Sequence, residues 1–166
     1  MNKIRIMVDM SASLIHHGHV RLINKAASLG EVVIGLTSDQ EIYEKKGFNP
    51  ELNFFQRKEV LESFKSVSEV VETPWIIDKK ILRKFKIDFL VHGDDNENDL
   101  DDIQVKIFKR TSKISSSLLR EKSLESLVNL NNKKLMLTPG PAAILHENIK
   151  GLKPVFGRGD NEYQKI

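Results

Sequence analysis

Histidine is concentrated at positions 16–19, which are His16-His17-Gly18-His19 and lie between a predicted strand and a predicted helix. Two imidazoles three residues apart at a helix N-terminus can both reach one anion, and the helix dipole favours negative charge there. The glycine lets the backbone approach that anion. The pattern favours a phosphate site over a zinc site or a histidine-rich turn without function. Zinc needs three or four ligands, and the remaining histidines of the chain are His92 and His146.

The elements that must position these histidines alternate between strand and helix. Short β-branched apolar runs predict buried parallel strands, and apolar residues at helical spacing predict amphipathic helices. The predicted strands are 4–8, 31–37, 67–71, 88–92 and 103–108, and the predicted helices are 17–28, 38–44, 55–64, 78–85 and 115–127. This order predicts an α/β fold, a Rossmann-like doubly wound parallel sheet of about five strands with helices on both faces.

Three polar clusters follow predicted strands, at residues 10–19, 92–96 and 110–117. In a parallel α/β sheet, ligands bind outside the carboxyl ends of the strands, near the point where the strand order reverses. We therefore expect the three clusters to converge on one site at this edge of the sheet.

Composition limits the class of protein. The 166 residues fit one domain, and the absence of cysteine excludes a disulfide scaffold and a thiolate metal site. No run approaches the roughly 20 apolar residues of a membrane span, and the charged, strand-like N-terminus does not resemble a signal peptide. The net charge of +3 indicates phosphate-bearing small ligands at least as readily as nucleic acid. We expect a cytoplasmic protein with neither a membrane nor a nucleic-acid partner.

The character of the chain changes near residue 130. Residues 131–134 predict a polar linker, and prolines and glycines interrupt the stretch that follows. That stretch has too few periodic apolar residues to form a core of its own. The sequence therefore predicts a domain at residues 1–129 and a tail at residues 130–166.

Two motifs at strand-to-helix junctions carry a family resemblance. His16-x-Gly18-His19 resembles the HxGH signature of the nucleotidyltransferase superfamily, and residues 110–117 resemble its second signature, R-T-x-G-I-S-[ST]-[ST]. The likeness covers residues 3 to about 127. It looks closest to the cytidylyltransferase branch, which includes the glycerol-3-phosphate and phosphoethanolamine enzymes. Residues 91–95 and the distance from Lys46 to residues 56–58 also fit that branch.

The resemblance implies that a phosphate or phosphonate oxygen attacks the α-phosphorus of CTP and that pyrophosphate leaves. It implies catalytic roles for His16, His19 and Lys46, with His19 stabilising the pentacovalent phosphorus. Lys46 and Arg57 are the implied substrate-binding residues. Mg²⁺ is expected to arrive with CTP, held mostly by phosphates and water, so no side chain is assigned to a metal. The implied nucleotide-binding residues are Met10, Ser11, Ala12, His16, His19, Gly93, Asp94, Arg110, Thr111, Ile114, Ser115, Ser116 and Ser117.

Further likenesses imply a particular acceptor. Residues 10–12 and 15–19 look like a narrower group, the cytidylyltransferases attached to phosphonate pathways. Residues 137–141 and 156–160 resemble the opening of class V pyridoxal-phosphate-dependent aminotransferases, which include 2-aminoethylphosphonate transaminase. These likenesses imply 2-aminoethylphosphonate as the acceptor and an aminotransferase domain fused in the full-length protein. A family-specific tail that packs on the surface is the alternative. Resemblance alone also implies a homodimer.

Two positions depart from the family pattern. Ser13 stands where the family usually has an acidic residue, and Lys113 replaces the glycine of the second signature, where a positive φ would be strained. These departures keep open a nucleotide-binding domain that has lost turnover. Transfer to glycerol 3-phosphate, phosphoethanolamine or phosphocholine is the alternative within the same class. An adenylyltransferase is disfavoured by residues 93–95 and 110–111.

Overall fold

The computed structural model describes residues 3–93 and 104–132. Over these residues the chain forms one sheet of five parallel strands in the order β3-β2-β1-β4-β5. The strands are β1 (Arg5–Met10), β2 (Glu31–Thr37), β3 (Val67–Thr73), β4 (Phe89–Gly93) and β5 (Gln104–Phe108). The predicted α/β fold is confirmed. The order reverses between β1 and β4, which is where such sheets bind ligands.

Four helices connect these strands within the described residues. They are α1 (His17–Ala27) after β1, α2 (Asp39–Lys46) and α3 (Phe54–Glu62) after β2, and α4 (Lys79–Lys84) after β3. The hydroxyl of Ser38 accepts a hydrogen bond from the N–H of Glu41 and caps α2. The same helix ends at Gly47, whose φ of 75° lies in the left-handed region that suits a helix C-terminus. This ending determines where Lys46 leaves its helix.

Apolar side chains cover both faces of the sheet. Successive residues of a strand point to opposite faces, so Val8 and Met7 of β1 belong to two different clusters. On the first, the α1 face, Ile23 of α1 and Leu61 of α3 pack against the sheet. The second, the α4 face, contains Met7, Val33, Val71, Ile77, Leu82 and Leu90. The predicted helices on both faces are therefore observed.

The chain divides after Ser116 into two compact units. The helix α5 (Ser116–Asn132) lies in the second unit from Ser117 onward. It runs beyond its predicted end at residue 127, so residues 131 and 132 are helical and the prediction of a linker there was wrong. No proline or glycine interrupts this segment, so no residue breaks the helix. Residues 133–166, which hold most of the predicted tail, lie outside the described residues.

Candidate active site

The first motif lies where β1 leads into α1. His16 is the N-cap of α1, and its Nδ1 accepts a hydrogen bond from the N–H of Gly18 at 3.1 Å. In return, Nδ1 of His19 accepts from the N–H of His16 at 3.2 Å. The two imidazoles thus form a reciprocal capping box, in the positions that a hydroxyl and a carboxylate side chain usually take. Their ring centroids lie 4.0 Å apart.

This cap determines which nitrogen of each ring carries the proton. A ring nitrogen that accepts a hydrogen bond carries no hydrogen, so the proton of each neutral imidazole lies on Nε2. The Nδ1 atoms are occupied by the helix N-terminus, and both Nε2–H groups are donors. Two adjacent donors suit an anion with several oxygens, such as a phosphate chain.

The free protein holds both histidines neutral. Burial and then the neighbouring His16, together with the cations Arg110 and Lys46, lower the pKa of His19 to about 4. The pKa of His16 is also lowered, first by burial and then by His17 and Arg110. A bound anion acts in the opposite direction, because negative charge favours the imidazolium form. Arg110 adds positive charge at this end of the site, and the charge of Lys46 acts on His19 from the opposite side.

Gly18 is required here for space. It lies in the first turn of α1, and its φ is outside the left-handed region. A Cβ at this position would lie 2.8 Å from Cε1 and 2.9 Å from Nδ1 of His16. Any larger residue would therefore push the His16 ring out of the cap. The motif glycine positions an imidazole, a role that the sequence pattern did not reveal.

The second motif packs against the first. The hydroxyl of Ser116 donates to the carbonyl of Leu14 at 3.1 Å and accepts from the N–H of Leu14 at 3.4 Å. Ile114 approaches Gly18, since a Cβ on that glycine would lie 3.4 Å from its Cγ2. The charge of Arg110 depresses the pKa of both motif histidines. The structure thus brings together two motifs that are far apart in the sequence.

Most other residues predicted to bind the nucleotide lie at or next to the carboxyl edge of the sheet. Met10 and Gly93 end β1 and β4, Ser11 and Ala12 follow β1, and Thr111 and Ser115 follow β5 within the second motif.

Two of the predicted nucleotide-binding residues have no observed position at this edge. Asp94 lies outside the described residues. Ser117 is the first residue of the second compact unit. Their roles stay predictions.

Lys46 connects three segments at the other end of the site. Its ammonium donates to the hydroxyl of Ser11 at 3.0 Å and lies 5.2 Å from the ring centroid of Trp75. Trp75 follows β3, and its backbone N–H donates to the Glu41 carboxylate at 3.2 Å. Trp75 was absent from the predicted site. Its position four residues after a predicted strand, and two after the observed end of β3, is the signal that could have revealed it.

Arg57 is buried against the backbone beside this end of the site. Its side chain is 0% exposed and forms an ion pair of 2.6 Å with Asp39. It also donates to the carbonyls of Leu52, Ser11 and Thr37 at 3.1, 2.6 and 2.9 Å. These contacts hold the segment after β1 against the end of β2. The observed role of Arg57 is to position the Ser11 backbone, and its contact with substrate stays a prediction.

The two departures from the family pattern have structural consequences. Lys113 has a φ of 62°, so a lysine occupies the left-handed backbone conformation that glycine adopts most easily. Ser13 is 1% exposed, so an acidic residue at this position would be a buried carboxylate.

The fold is that of the Rossmann-like α/β class, and the two motifs lie together at the carboxyl edge of its sheet. The family model described as cytidylyltransferase-like matches residues 11–122. The chain belongs to this family, and the predicted resemblance to cytidylyltransferases is confirmed at the level of the family.

Individual relatives show how far the likeness extends. The chain is 33% identical over 98 residues to ethanolamine-phosphate cytidylyltransferase from Arabidopsis thaliana, which covers 55% of this chain and 23% of that protein. It is 30% identical over 122 residues to glycerol-3-phosphate cytidylyltransferase from Staphylococcus aureus. That match covers 70% of this chain and 92% of that protein. The match to the first relative thus spans about a quarter of that protein's length.

A solved structure shows the same fold. It is titled as the lipopolysaccharide core biosynthesis protein from Thermoplasma volcanium and superposes with a TM-score of 0.56 at 21% identity. The match covers 66% of this chain and 98% of that one. In the chain described here, no helix within residues 3–93 and 104–132 is long and apolar enough to cross a membrane.

Proposed function

We propose that this chain transfers CMP from CTP to a small acceptor that carries a phosphonate or phosphate and an ammonium group, with 2-aminoethylphosphonate preferred. The observation that carries the proposal is the pair of neutral imidazoles, held by their own capping box as Nε2–H donors. Arg110 and Lys46 place positive charge beside this pair. Membership of the cytidylyltransferase-like family supports the same chemistry.

The reaction forms one P–O bond and breaks another. An acceptor oxygen attacks the α-phosphorus of CTP, and the bond from that phosphorus to the bridging oxygen of the β-phosphate breaks. The electron pair of the broken bond leaves with pyrophosphate. The acceptor oxygen is already anionic, so no strong general base is needed. The protein contributes alignment and neutralises the charge that builds on the pentacovalent phosphorus.

The motif residues divide these tasks. The His19 Nε2–H donates to an equatorial oxygen of the α-phosphoryl group as it gains charge, and His16 and Arg110 hold the remaining phosphates. Lys46 lies at the opposite end, where its ammonium bridges the acceptor anion and the α-phosphate. The Ser11 hydroxyl, 3.0 Å from that ammonium, limits its movement.

We place Mg²⁺ with the nucleotide, as the counter-ion of the triphosphate. Within residues 3–93 and 104–132, no group of three or more His, Cys, Asp or Glu side chains could hold a metal ion. The N–H donors and cations around the two motifs suit phosphate oxygens, whereas Mg²⁺ is bound by oxygen ligands. The triphosphate and water would supply most of those oxygens.

An ammonium-bearing acceptor fits the surroundings of Lys46. The Trp75 ring already faces a cation at 5.2 Å, which is within the range of a cation–π contact. When the acceptor anion attracts Lys46, the same ring face can take the acceptor ammonium. The resemblance of residues 137–141 and 156–160 to an aminotransferase supports the phosphonate over its phosphate ester. The two acceptors differ by one bridging oxygen, so discrimination should be modest, about 1–3 kcal/mol.

The test is pyrophosphate release with CTP, Mg²⁺ and each of three acceptors: 2-aminoethylphosphonate, phosphoethanolamine and glycerol 3-phosphate. We expect kcat/KM to fall in that order, and we expect CTP to bind more tightly than ATP by calorimetry. Glycerol 3-phosphate in first place would overturn the acceptor and leave the reaction class standing. Tighter binding of ATP would overturn the choice of nucleotide.

A nucleotide-binding domain without turnover is the second candidate, because Lys113 carries an unusual backbone conformation within a phosphate-binding motif. Binding of CTP without pyrophosphate release from any acceptor would favour it. A homodimer and a fused aminotransferase domain complete the proposal and rest on resemblance, and a cytoplasmic location rests on the absence of cysteine. Sedimentation of the purified chain tests the dimer.

A further inference from the structure

Positive charge is concentrated in one short segment on the α4 face of the sheet. Residues 79–86, which comprise α4 and the two residues after it, contain five Lys or Arg residues and no acidic residue. The whole chain carries +3, so all of its other residues together carry −2. The basic character of this protein is therefore local to a single segment.

Four of these cations are exposed on the side of α4 that faces away from the sheet. Lys80, Arg83 and Lys84 are three and four residues apart, a spacing that places them on one side of a helix. Leu82, on the other side, is 1% exposed and packs in the apolar cluster of the α4 face. Lys86 follows the helix and is also exposed. We call Lys80, Arg83, Lys84 and Lys86 the basic face of α4.

The carboxylates next to this segment bind backbone groups. Asp78 caps α4 and accepts from the N–H of Ile81 at 2.9 Å, and Asp88 accepts from the N–H of Arg5 at 2.8 Å. In the part of the chain that the structure describes, no cation of the basic face forms an ion pair. Exposed cations that gather without counter-ions produce a positive surface potential, which attracts an anionic partner.

Exposed apolar side chains on the same face of the sheet favour a lipid surface as that partner. Ile76, four residues before Lys80, is 49% exposed. Ile107 is 60% exposed and pairs with His92, which stands two residues after Leu90 of the α4 face, so Ile107 lies on that face too. Peripheral binding to a bilayer combines cations with exposed apolar side chains in this way.

A nucleic acid fits the same face less well. Nucleic-acid surfaces typically add aromatic rings that stack on bases, or arginines that read base edges. The basic face holds three lysines, one arginine and no aromatic ring.

We propose that the basic face of α4 binds the surface of a bilayer that contains anionic lipids. Each Lys or Arg near such a surface strengthens binding about fivefold. Binding of this kind is reversible and needs no helix that crosses the bilayer. The inference goes beyond the proposed function and does not depend on it. It replaces the expectation of no membrane partner, which rested on the lack of an apolar span.

The test is co-sedimentation of the full chain with vesicles of phosphatidylcholine, alone or with about 30% phosphatidylserine. We expect the wild type to bind the anionic vesicles at least about tenfold more tightly than the neutral ones. The triple variant Lys80→Gln, Arg83→Gln, Lys84→Gln should lose roughly 100-fold in affinity for the anionic vesicles. Raising the salt from about 0.05 M to about 0.5 M should release the wild type, because the attraction is screened.

The matched control removes two lysines and one arginine from the opposite side of the sheet. It is Arg21→Gln, Lys25→Gln, Lys106→Gln, three exposed cations of which two lie on α1. Lys106 pairs with Val91 of the α1-face cluster. Both triple variants have the same net charge, so a specific basic face predicts that the control keeps its affinity for anionic vesicles within about threefold.

Lys86→Gln keeps the test independent of helix stability, because Lys86 lies outside α4. This single change should weaken binding to anionic vesicles about fivefold. Calorimetric CTP affinity and the thermal transition verify that each variant is folded.

Three outcomes would overturn the proposal. Equal binding of the wild type to neutral and anionic vesicles would remove the anionic lipid. Equal losses in the two triple variants would show that net charge acts and that no particular face does. Tighter binding to a DNA duplex than to anionic vesicles would assign the basic face to nucleic acid instead.

Discussion

The two ends of the site are built in different ways. The triphosphate end, His16 to His19 with Arg110 to Ser116, has its histidines held by hydrogen bonds between residues two or three apart. The acceptor end, around Lys46 and Trp75, is joined by contacts between residues 35 and 34 apart, from Lys46 to Ser11 and from Trp75 to Glu41. Local spacing therefore sets the geometry of the first end, and packing of separate elements sets that of the second.

Because of this difference, the proposed reaction and the preference for an acceptor depend on different parts of the site. The histidine cap needs only the start of one helix, so the proposed chemistry at the α-phosphorus should depend on few tertiary contacts. The acceptor end depends on where α2 ends and on how the segment after β3 packs, through Ile77, against the α4 face. Changes in packing should therefore alter the acceptor preference before they alter phosphoryl chemistry. Arg57 connects the two ends, because it holds the Ser11 backbone that precedes the histidine motif.

The largest effect is expected when each end loses its charged or donating group. His19→Ala and Lys46→Ala should each lower kcat by roughly 100- to 1,000-fold, because charge at the pentacovalent phosphorus exists only in the transition state. Calorimetric CTP affinity should change much less. Lys45→Ala, an exposed neighbour on α2, is the control. Wild-type turnover in either test variant would remove that residue from the catalytic set.

Gly18→Ala tests whether the histidine cap is purely local. The added Cβ would meet His16 at 2.8 Å and displace its ring, and a misplacement of about 1 Å can lower turnover roughly 100-fold. Nitrogen chemical shifts of the His16 ring should report a lost Nδ1 hydrogen bond. Lys25→Ala in the last turn of α1 should leave both measurements unchanged. Unaltered turnover in Gly18→Ala would show that the cap tolerates a side chain there.

The pH dependence of CTP binding tests the triphosphate end alone, because the proton taken up on binding goes to His19. The pKa of His19 is about 4 in the free protein, and a bound triphosphate raises it. Between these two pKa values the complex binds more protons than the free protein. CTP affinity should therefore rise as pH falls from 7 toward 5, by at most about tenfold per pH unit for one proton. Calorimetry in buffers of different ionisation enthalpy measures this proton uptake.

His19→Asn is the comparison for that experiment, because asparagine keeps an N–H donor and cannot take up the proton. Protonation of CTP itself is common to both proteins and cancels in the comparison. Identical pH slopes of CTP affinity would show that His19 stays neutral in the complex.

The stability of the folded protein should respond to pH in the opposite sense. The pKa of His19 in the folded protein lies below the unfolded value of 6.5, so the free energy of unfolding decreases as pH falls from 6.5 toward 4.

The smallest effect is expected at Lys113. A non-glycine residue at a φ of 62° is strained, so Lys113→Gly should raise the free energy of unfolding by about 0.5–1 kcal/mol. Lys86→Gly is a matched control, since Lys86 has a φ of 54° far from the second motif. Because the exposed lysine already adopts the required backbone, kcat should stay unchanged in both. A gain in kcat confined to Lys113→Gly would show that this departure limits turnover.

Much of the fold followed from the sequence. The bounds of every predicted strand lie within two residues of the observed bounds. Buried parallel strands are short apolar runs, so the local sequence is enough to recognise them. The end of α5 was wrong because asparagines at 131 and 132 resemble a linker, although nothing there breaks a helix. Arg57 was predicted to bind substrate, whereas its observed hydrogen bonds lie in a buried set of carbonyls that no local pattern reveals.

The amino-acid sequence by itself determined the α/β order and the family. Each depends on residues near one another in the chain, whose spacing sets their geometry through helix and strand periods. Only the tertiary structure decided the surroundings of Lys46 and the role of Arg57. Lys46 meets Ser11 after β1, and Arg57 meets Thr37 at the end of β2. Such contacts depend on strand order and register, which arise when the whole sheet packs between its two apolar faces.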